Sequence, residues 1–149
     1  MAVTMNDVRA RLDPEEVDYT SAARLGAEAL PLLAELVRGN DTMLASKAAY
    51  LASLIPGEER LPVLGAAAAS PHPRVRVAAA TGLRNLDEAD ADALAQRLLR
   101  DEDVGVRKQS VRAAAVFSSP VLTERIRQIA QDDPEIALRH IAAASLDRG

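Results

Sequence analysis

Ser70–Leu86, SPHPRVRVAAATGLRNL, returns 31 residues later as Asp101–Phe117, DEDVGVRKQSVRAAAVF. Val75-Arg76 falls on Val106-Arg107, Ala79 on Ser110, Leu83 on Ala114 and Leu86 on Phe117. The same frame runs back to Leu44, Ala48, Ala52 and Ile55, and forward with one extra residue to Leu138-Arg139, Ala142 and Leu146. Positions i, i+4, i+8 and i+11 lie on one side of a helix, so each copy carries a stripe that must be covered. A stripe recurring at fixed period is the signature of stacked helical repeats.

The intervening residues supply a first helix for each pair. Leu30, Leu33 and Leu36-Val37 recur as Leu61, Leu64 and Ala67-Ala68, then as Ala91, Leu94 and Leu98-Leu99, then as Leu122, Ile126 and Ile129-Ala130. Pro31 and Pro62 follow Gly26 and Gly57 by five residues, too far in for a comfortable first turn, so these helices are expected to start late. Polar turns at 39–41, 70–73, 101–103 and 132–134 lead into second helices expected near 42–55, 74–86, 104–117 and 135–146. Such short turns make neighbouring helices antiparallel. The expected division is one domain, 1–149, with an N-terminal cap or degenerate repeat at 1–25 and repeats at 26–56, 57–87, 88–118 and 119–149. Within the cap, Asp13-Pro14-Glu15-Glu16 has the chemistry of a helix start: a cap residue, a proline at the first position, and acids in the first turn.

Asp101, Asp103, Val106, Arg107 and Ser110 form a D-x-D-x-x-V-R-x-x-small pattern that resembles the HEAT repeat. The resemblance extends from about Gly26 to Leu146 and implies an all-α fold, a right-handed α-solenoid of antiparallel helix pairs. It further implies a non-enzymatic scaffold whose second helices line a concave binding surface. In that family the arginine after the apolar anchor commonly pairs with a turn aspartate, building a ladder along the stack. Arg76, Arg107 and Arg139 match the arginine, and Asp101 and Asp133 match the aspartate. Ser70 and Gly39 do not, and Ala45 replaces the first arginine, so the ladder is expected to fail at the N-terminal end.

Composition agrees with thin layers of helices. The apolar 48% is mostly Ala and Leu, with one Phe, two Tyr and no Trp, and small side chains suit closely packed helices. Cysteine is absent, which excludes disulfides, thiolate metal sites and a thiol nucleophile. No apolar run resembles a signal peptide or a membrane span, and the expected location is cytoplasmic.

Catalytic and metal chemistry have little to stand on. His72 and His140 occupy unrelated repeat positions, and neither has a carboxylate at a metal-binding helical spacing. There is no Gly-x-Ser-x-Gly elbow and no glycine-rich phosphate loop. Asp87, Glu88, Asp90 and Asp92 suit a solvated helix start better than a calcium loop. No cofactor is expected.

Charge is the one asymmetry that points to function. Segments 42–55, 74–86, 104–117 and 136–146 hold eight basic residues and none of the twenty-two acids. Arg76, Arg107 and Arg139 belong to the ladder that the resemblance implies. Lys47, Arg84, Lys108 and Arg112 lie off the core stripe, with Tyr50, Thr81, Gln109 and His140 as neighbours. These eight are the candidate partner-binding residues, and an acidic segment of another protein is the partner that their charge would steer. The alternative is a nucleic-acid-binding or DNA-repair type of HEAT-like module. A net charge of -4 and the shortage of stacking aromatics argue against it.

Overall fold

In the computed structural model, which describes residues 2–147, the chain runs through ten α-helices, with no strand among the described residues. From α3 onward they alternate between two layers. The first layer contains α3 (Leu30–Val37), α5 (Arg60–Ala68), α7 (Glu88–Leu98) and α9 (Pro120–Asp132). The second contains α4 (Thr42–Ser53), α6 (Pro73–Gly82), α8 (Val104–Ala114) and α10 (Ile136–Asp147). Each helix packs on its own partner and on its counterpart in the next pair, which makes the fold an all-α solenoid. At the N-terminal end, α1 (Met5–Leu12) packs on α3 and α4, and α2 (Tyr19–Ala22) packs on α1.

One continuous apolar cluster runs from Val8 to Ala142. The stripe residues Val75, Ala79, Leu83, Val106, Ser110, Ala114, Leu138 and Ala142 are all buried. Small residues let the second-layer helices approach closely. A Cβ on Gly82 of α6 would stand 2.6 Å from the Ser53 Cβ of α4, so only glycine fits at that crossing. The approach is tight from α4 to α6 and from α6 to α8, and looser from α8 to α10.

Caps set the helix starts. Asp41, Asp87 and Asp103 accept from the N–H groups of Leu44, Asp90 and Val106 at 3.0, 2.9 and 3.0 Å. The late prolines behave as their positions predict: α3 begins at Leu30 with Pro31 in its first turn, after a 3-10 turn at Ala27–Ala29. Two boundaries differ from expectation. Three second-layer helices close earlier: α4 ends at Ser53, the last turn of α6 tightens into 3-10 geometry at Leu83–Asn85, and α8 ends at Ala114, whereas α10 runs to Asp147. Asp13–Glu16 does not start a helix. The Asp13 N–H still donates to the Arg9 carbonyl at 2.8 Å, which makes it the last residue of α1's hydrogen bonding. Asp18 caps α2 instead, accepting from the Ser21 N–H at 3.1 Å. After α2 the chain turns at Gly26, whose φ of +76° favours glycine.

The arginine ladder has two complete rungs. Arg76 Nε and Nη2 donate to Asp101 at 2.8 and 3.2 Å, and Arg107 donates likewise to Asp133 at 2.8 and 3.1 Å. Each arginine also reaches the turn before its own helix: Nη1 donates to the Ser70 carbonyl from Arg76, at 2.8 Å, and to the Asp101 carbonyl from Arg107, at 2.9 Å. Every rung therefore ties one pair's turn to its own second helix and to the turn of the following pair. The carboxylates are shared further, since Asp101 accepts from the Asp103 N–H and Asp133 from the Glu135 N–H. Ser70 lacks a carboxylate, yet its hydroxyl accepts from the His72 N–H at 3.1 Å and shapes the same turn. Burial pushes the Asp133 carboxyl up, but the Arg107 hydrogen bond, the Glu135 N–H and the charges of Arg107 and Arg125 outweigh it. Its pKa is held below the ordinary carboxylate value. At the other end Ala45, buried, stands in place of an arginine, and the ladder stops there as expected.

Candidate binding surface

The eight candidate residues separate into three groups. Lys47, on α4, is half-buried, and its Nζ donates to the carbonyls of Leu12 and Pro14, each at 3.0 Å. It is the tie that holds the α1–α2 turn to the stack. Tyr50, also on α4, packs edge-on against Tyr19 with ring centroids 4.8 Å apart, and burial near Tyr50 raises the Tyr19 pKa. Thr81 returns its hydroxyl to the Val77 carbonyl at 2.9 Å, a bond within its own helix. The Lys47 ammonium, the Thr81 hydroxyl and the Tyr50 ring are thus engaged inside the chain.

Arg84 and Arg112 come together. Both are exposed, and with Ala115, Val116, Ile141, Ala144 and Ser145 they line a groove of about 550 Å³. The groove lies across the C-terminal halves of α8 and α10, where the second layer loosens. Lys108 and His140 are exposed one helical turn before Arg112 and Ala144, extending the same faces toward the helix starts. Gln109 is half-buried beside Lys108.

Sequence reasoning passed over the apolar floor. Val116 is 62% exposed, the largest exposure among the described big apolar residues. It immediately precedes the stripe residue Phe117, and an apolar side chain in that off-stripe position was the available signal. Val116 also borders an adjoining hollow of about 390 Å³, lined by Phe117, Ile126, Leu146 and Arg127 among others. Among the described residues, neither hollow has an acid in its lining. Arg127 does pair with Glu124 on its own helix, both largely exposed, a contact of little energetic weight.

A third hollow, of about 530 Å³, lies at the turn edge between α7 and α9 and mixes Arg100, Arg107 and Arg125 with Asp101, Glu102, Asp132 and Asp133. Its charges nearly cancel. Arg125 donates to the Leu99 carbonyl at 3.1 Å, and burial beside Arg100 lowers its pKa. No group of three His, Cys, Asp or Glu is arranged to hold a metal among the described residues, and no described helix is long and apolar enough to cross a membrane.

No curated protein and no solved structure matches the chain. A profile of HEAT repeats matches residues 61–147, from the first turn of α5 to the end of α10. The match begins after the pair that has Ala45 in place of the ladder arginine and Gly39 in place of the turn acid. It covers both complete rungs and more than half of the residues. With the stacked pairs and the ladder in view, the chain belongs to the HEAT-repeat family.

Proposed function

We propose that this chain is a non-catalytic adaptor that captures an acidic segment of a partner protein in the groove between α8 and α10. HEAT repeats are generally protein-interaction scaffolds, and the second layer is the inner, concave one in this reading. The carrying observation is the lining of the groove: Arg84 and Arg112 over an apolar floor, with no acid among the described lining residues, in a chain of net charge -4. Val116 and Ile141 would cover the apolar side of an amphipathic segment while the arginines meet its carboxylates. Lys108 and His140 would extend contact along the helices. Opposite charge speeds encounter and selects the partner, and burial of Val116 adds affinity. Residues 1–25 serve as the cap of this single module.

Charge reversal at Arg84→Glu with Arg112→Glu tests the reading. Both side chains are exposed, so melting should stay close to the parent. Fluorescence anisotropy with a labelled Glu- and Leu-rich helical peptide should show binding by the parent, weakening with salt, and at least about a tenfold loss in the variant. Equal binding by both proteins would overturn the groove assignment. Tighter binding of a single-stranded oligonucleotide than of the peptide would favour the nucleic-acid alternative.

A further inference from the structure

Each complete rung has two halves, and Arg139 holds only one of them. Its Nη1 donates to the Asp133 carbonyl at 2.7 Å, as Arg76 and Arg107 do to the turns before their own helices. The Nε and Nη2 groups, which in Arg76 and Arg107 fork onto the next pair's aspartate, meet no carboxylate among the described residues.

The surface around Arg139 is an uncovered copy of one that is covered elsewhere. Ala49, Ala80 and Val111 occupy the same place in α4, α6 and α8 and are wholly buried; the matching residue of α10, Ala143, is exposed. In the first layer Val37, Ala68 and Leu99 are buried, whereas the matching Ala130 is half-buried. This face has the small side chains and the cation that the inner pairs use to hold a neighbour.

The N-terminal end carries a carboxylate in the complementary position. Asp133 is the first residue beyond α9, and Asp13 is the first residue beyond α1, each in the turn that follows the first helix of a pair. Asp13 is exposed, and its carboxylate makes no hydrogen bond or ion pair among the described residues. Asn6 and Ala10 are short, exposed residues on the side of α1 that leads to Asp13, with Arg9 next to them. Arg9 and Lys47 share a hollow with Asp13, but Lys47 is taken up by the Leu12 and Pro14 carbonyls, and Glu15, Glu16 and Asp41 keep the surroundings negative on balance.

We infer that copies of this chain stack head to tail, with Arg139 of one copy forking onto Asp13 of the next and Ala143 packed beneath that contact. Such an interface joins two different surfaces, so it adds copies beyond a dimer, into an open stack or a ring according to the rotation between them. It uses neither Arg84 nor Arg112 and stands apart from the groove.

Sedimentation equilibrium of the intact chain over a wide concentration range is the test. The expected result is an average mass that climbs with concentration and passes that of a dimer. Arg139→Asp and Asp13→Arg should each remain monomeric alone, because like charges then face each other. Mixing the two variants restores opposite charge at both kinds of junction, and association should return. A parent that stays monomeric throughout, a mass that levels off at a dimer, a single variant that associates like the parent, or a mixture that stays monomeric would each overturn the inference.

Discussion

The two ends of this stack meet their surroundings by different means. At the N-terminal end Val8 and Leu12 are wholly buried against α3 and α4, Tyr19 braces Tyr50, and Lys47 clasps two carbonyls of the turn. The polar rung is missing there, and Ala45 is covered instead. At the C-terminal end α10 buries only Leu138 and Ala142, leaves Ile136 59% exposed, and keeps an arginine with half its bonds. One repeat position thus has two solutions. Between the α3–α4 and α5–α6 pairs a buried alanine and tight helix contact suffice; in the two following junctions an arginine takes a carboxylate from the next pair. Buried ion pairs of this kind add little net stability but are costly to break.

The largest effect belongs between the ends. Val106→Asp places a carboxylate at a wholly buried position of α8 with no cation in the stripe, and should cost about 5 kcal/mol or more. Because each pair is supported only by its neighbours, amide exchange should rise first in α7–α10 and least in α1–α3. A variant melting like the parent would mean that the stripe 106/110/114/117 faces elsewhere.

Next come the two turn aspartates, which separate a made rung from an unmade one. Asp133→Ala strands the Arg107 guanidinium in a buried site and should cost about 3 kcal/mol in a denaturant melt. Asp13→Ala, at dilution, should change stability by no more than about 0.5 kcal/mol. The acid limb gives a second reading of the same rung. The folded Asp133 pKa lies below its unfolded value. Its contribution is therefore in place above the ordinary carboxylate range and is lost as pH falls through the depressed folded value. Asp133→Asn should flatten the fall in melting temperature below about pH 4. An unchanged acid limb would mean that Asp133 titrates alike in both states.

What could be foreseen from the residues follows the range of the contacts involved. The stripe Val75, Ala79, Leu83 repeats a helical period, so its burial is a local property of the chain. The rungs span 25 and 26 residues, yet Arg76, Arg107, Asp101 and Asp133 recur in a motif that announces them. Lys47 has no such motif. Its partners, Leu12 at the end of α1 and Pro14 in the irregular turn after it, lie 35 and 33 residues away, so its charge marked it as free when it is engaged. Asp13 misled for the opposite reason. Its neighbours have every mark of a helix start, but Asp18 offers the same cap five residues later and α1 has not yet finished. Arg84 and Arg112 were identified by charge and stripe position, whereas their groove depends on how far α10 parts from α8, which no local pattern reports.

Lys47 gives the next smaller effect. Lys47→Met keeps the apolar stem but removes both bonds to the Leu12 and Pro14 carbonyls, which can turn to water instead. The expected cost is about 1–2 kcal/mol. Faster amide exchange confined to α1 and α2, with α9 and α10 unchanged, would show that the clasp seals one end only. Acceleration at both ends would mean that the pairs are coupled more strongly than neighbour contacts allow.

The smallest effect is the most diagnostic for the open end, because one repeat position can be altered in two places. Val111→Glu puts a charge into a wholly buried site and belongs in size with Val106→Asp. Ala143→Glu makes the equivalent change on α10, where the side chain meets water and lies one turn from Arg139. An ion pair at that spacing is worth about 0.3 kcal/mol, so dilute Ala143→Glu should melt within about 0.5 kcal/mol of the parent. The same carboxylate would occupy the unfilled side of Arg139 from within its own helix, and it should suppress concentration-dependent association for that reason. A large loss of stability at dilution would instead mean that this face of α10 is already covered, and the contrast between a sealed and an open end would fall with it.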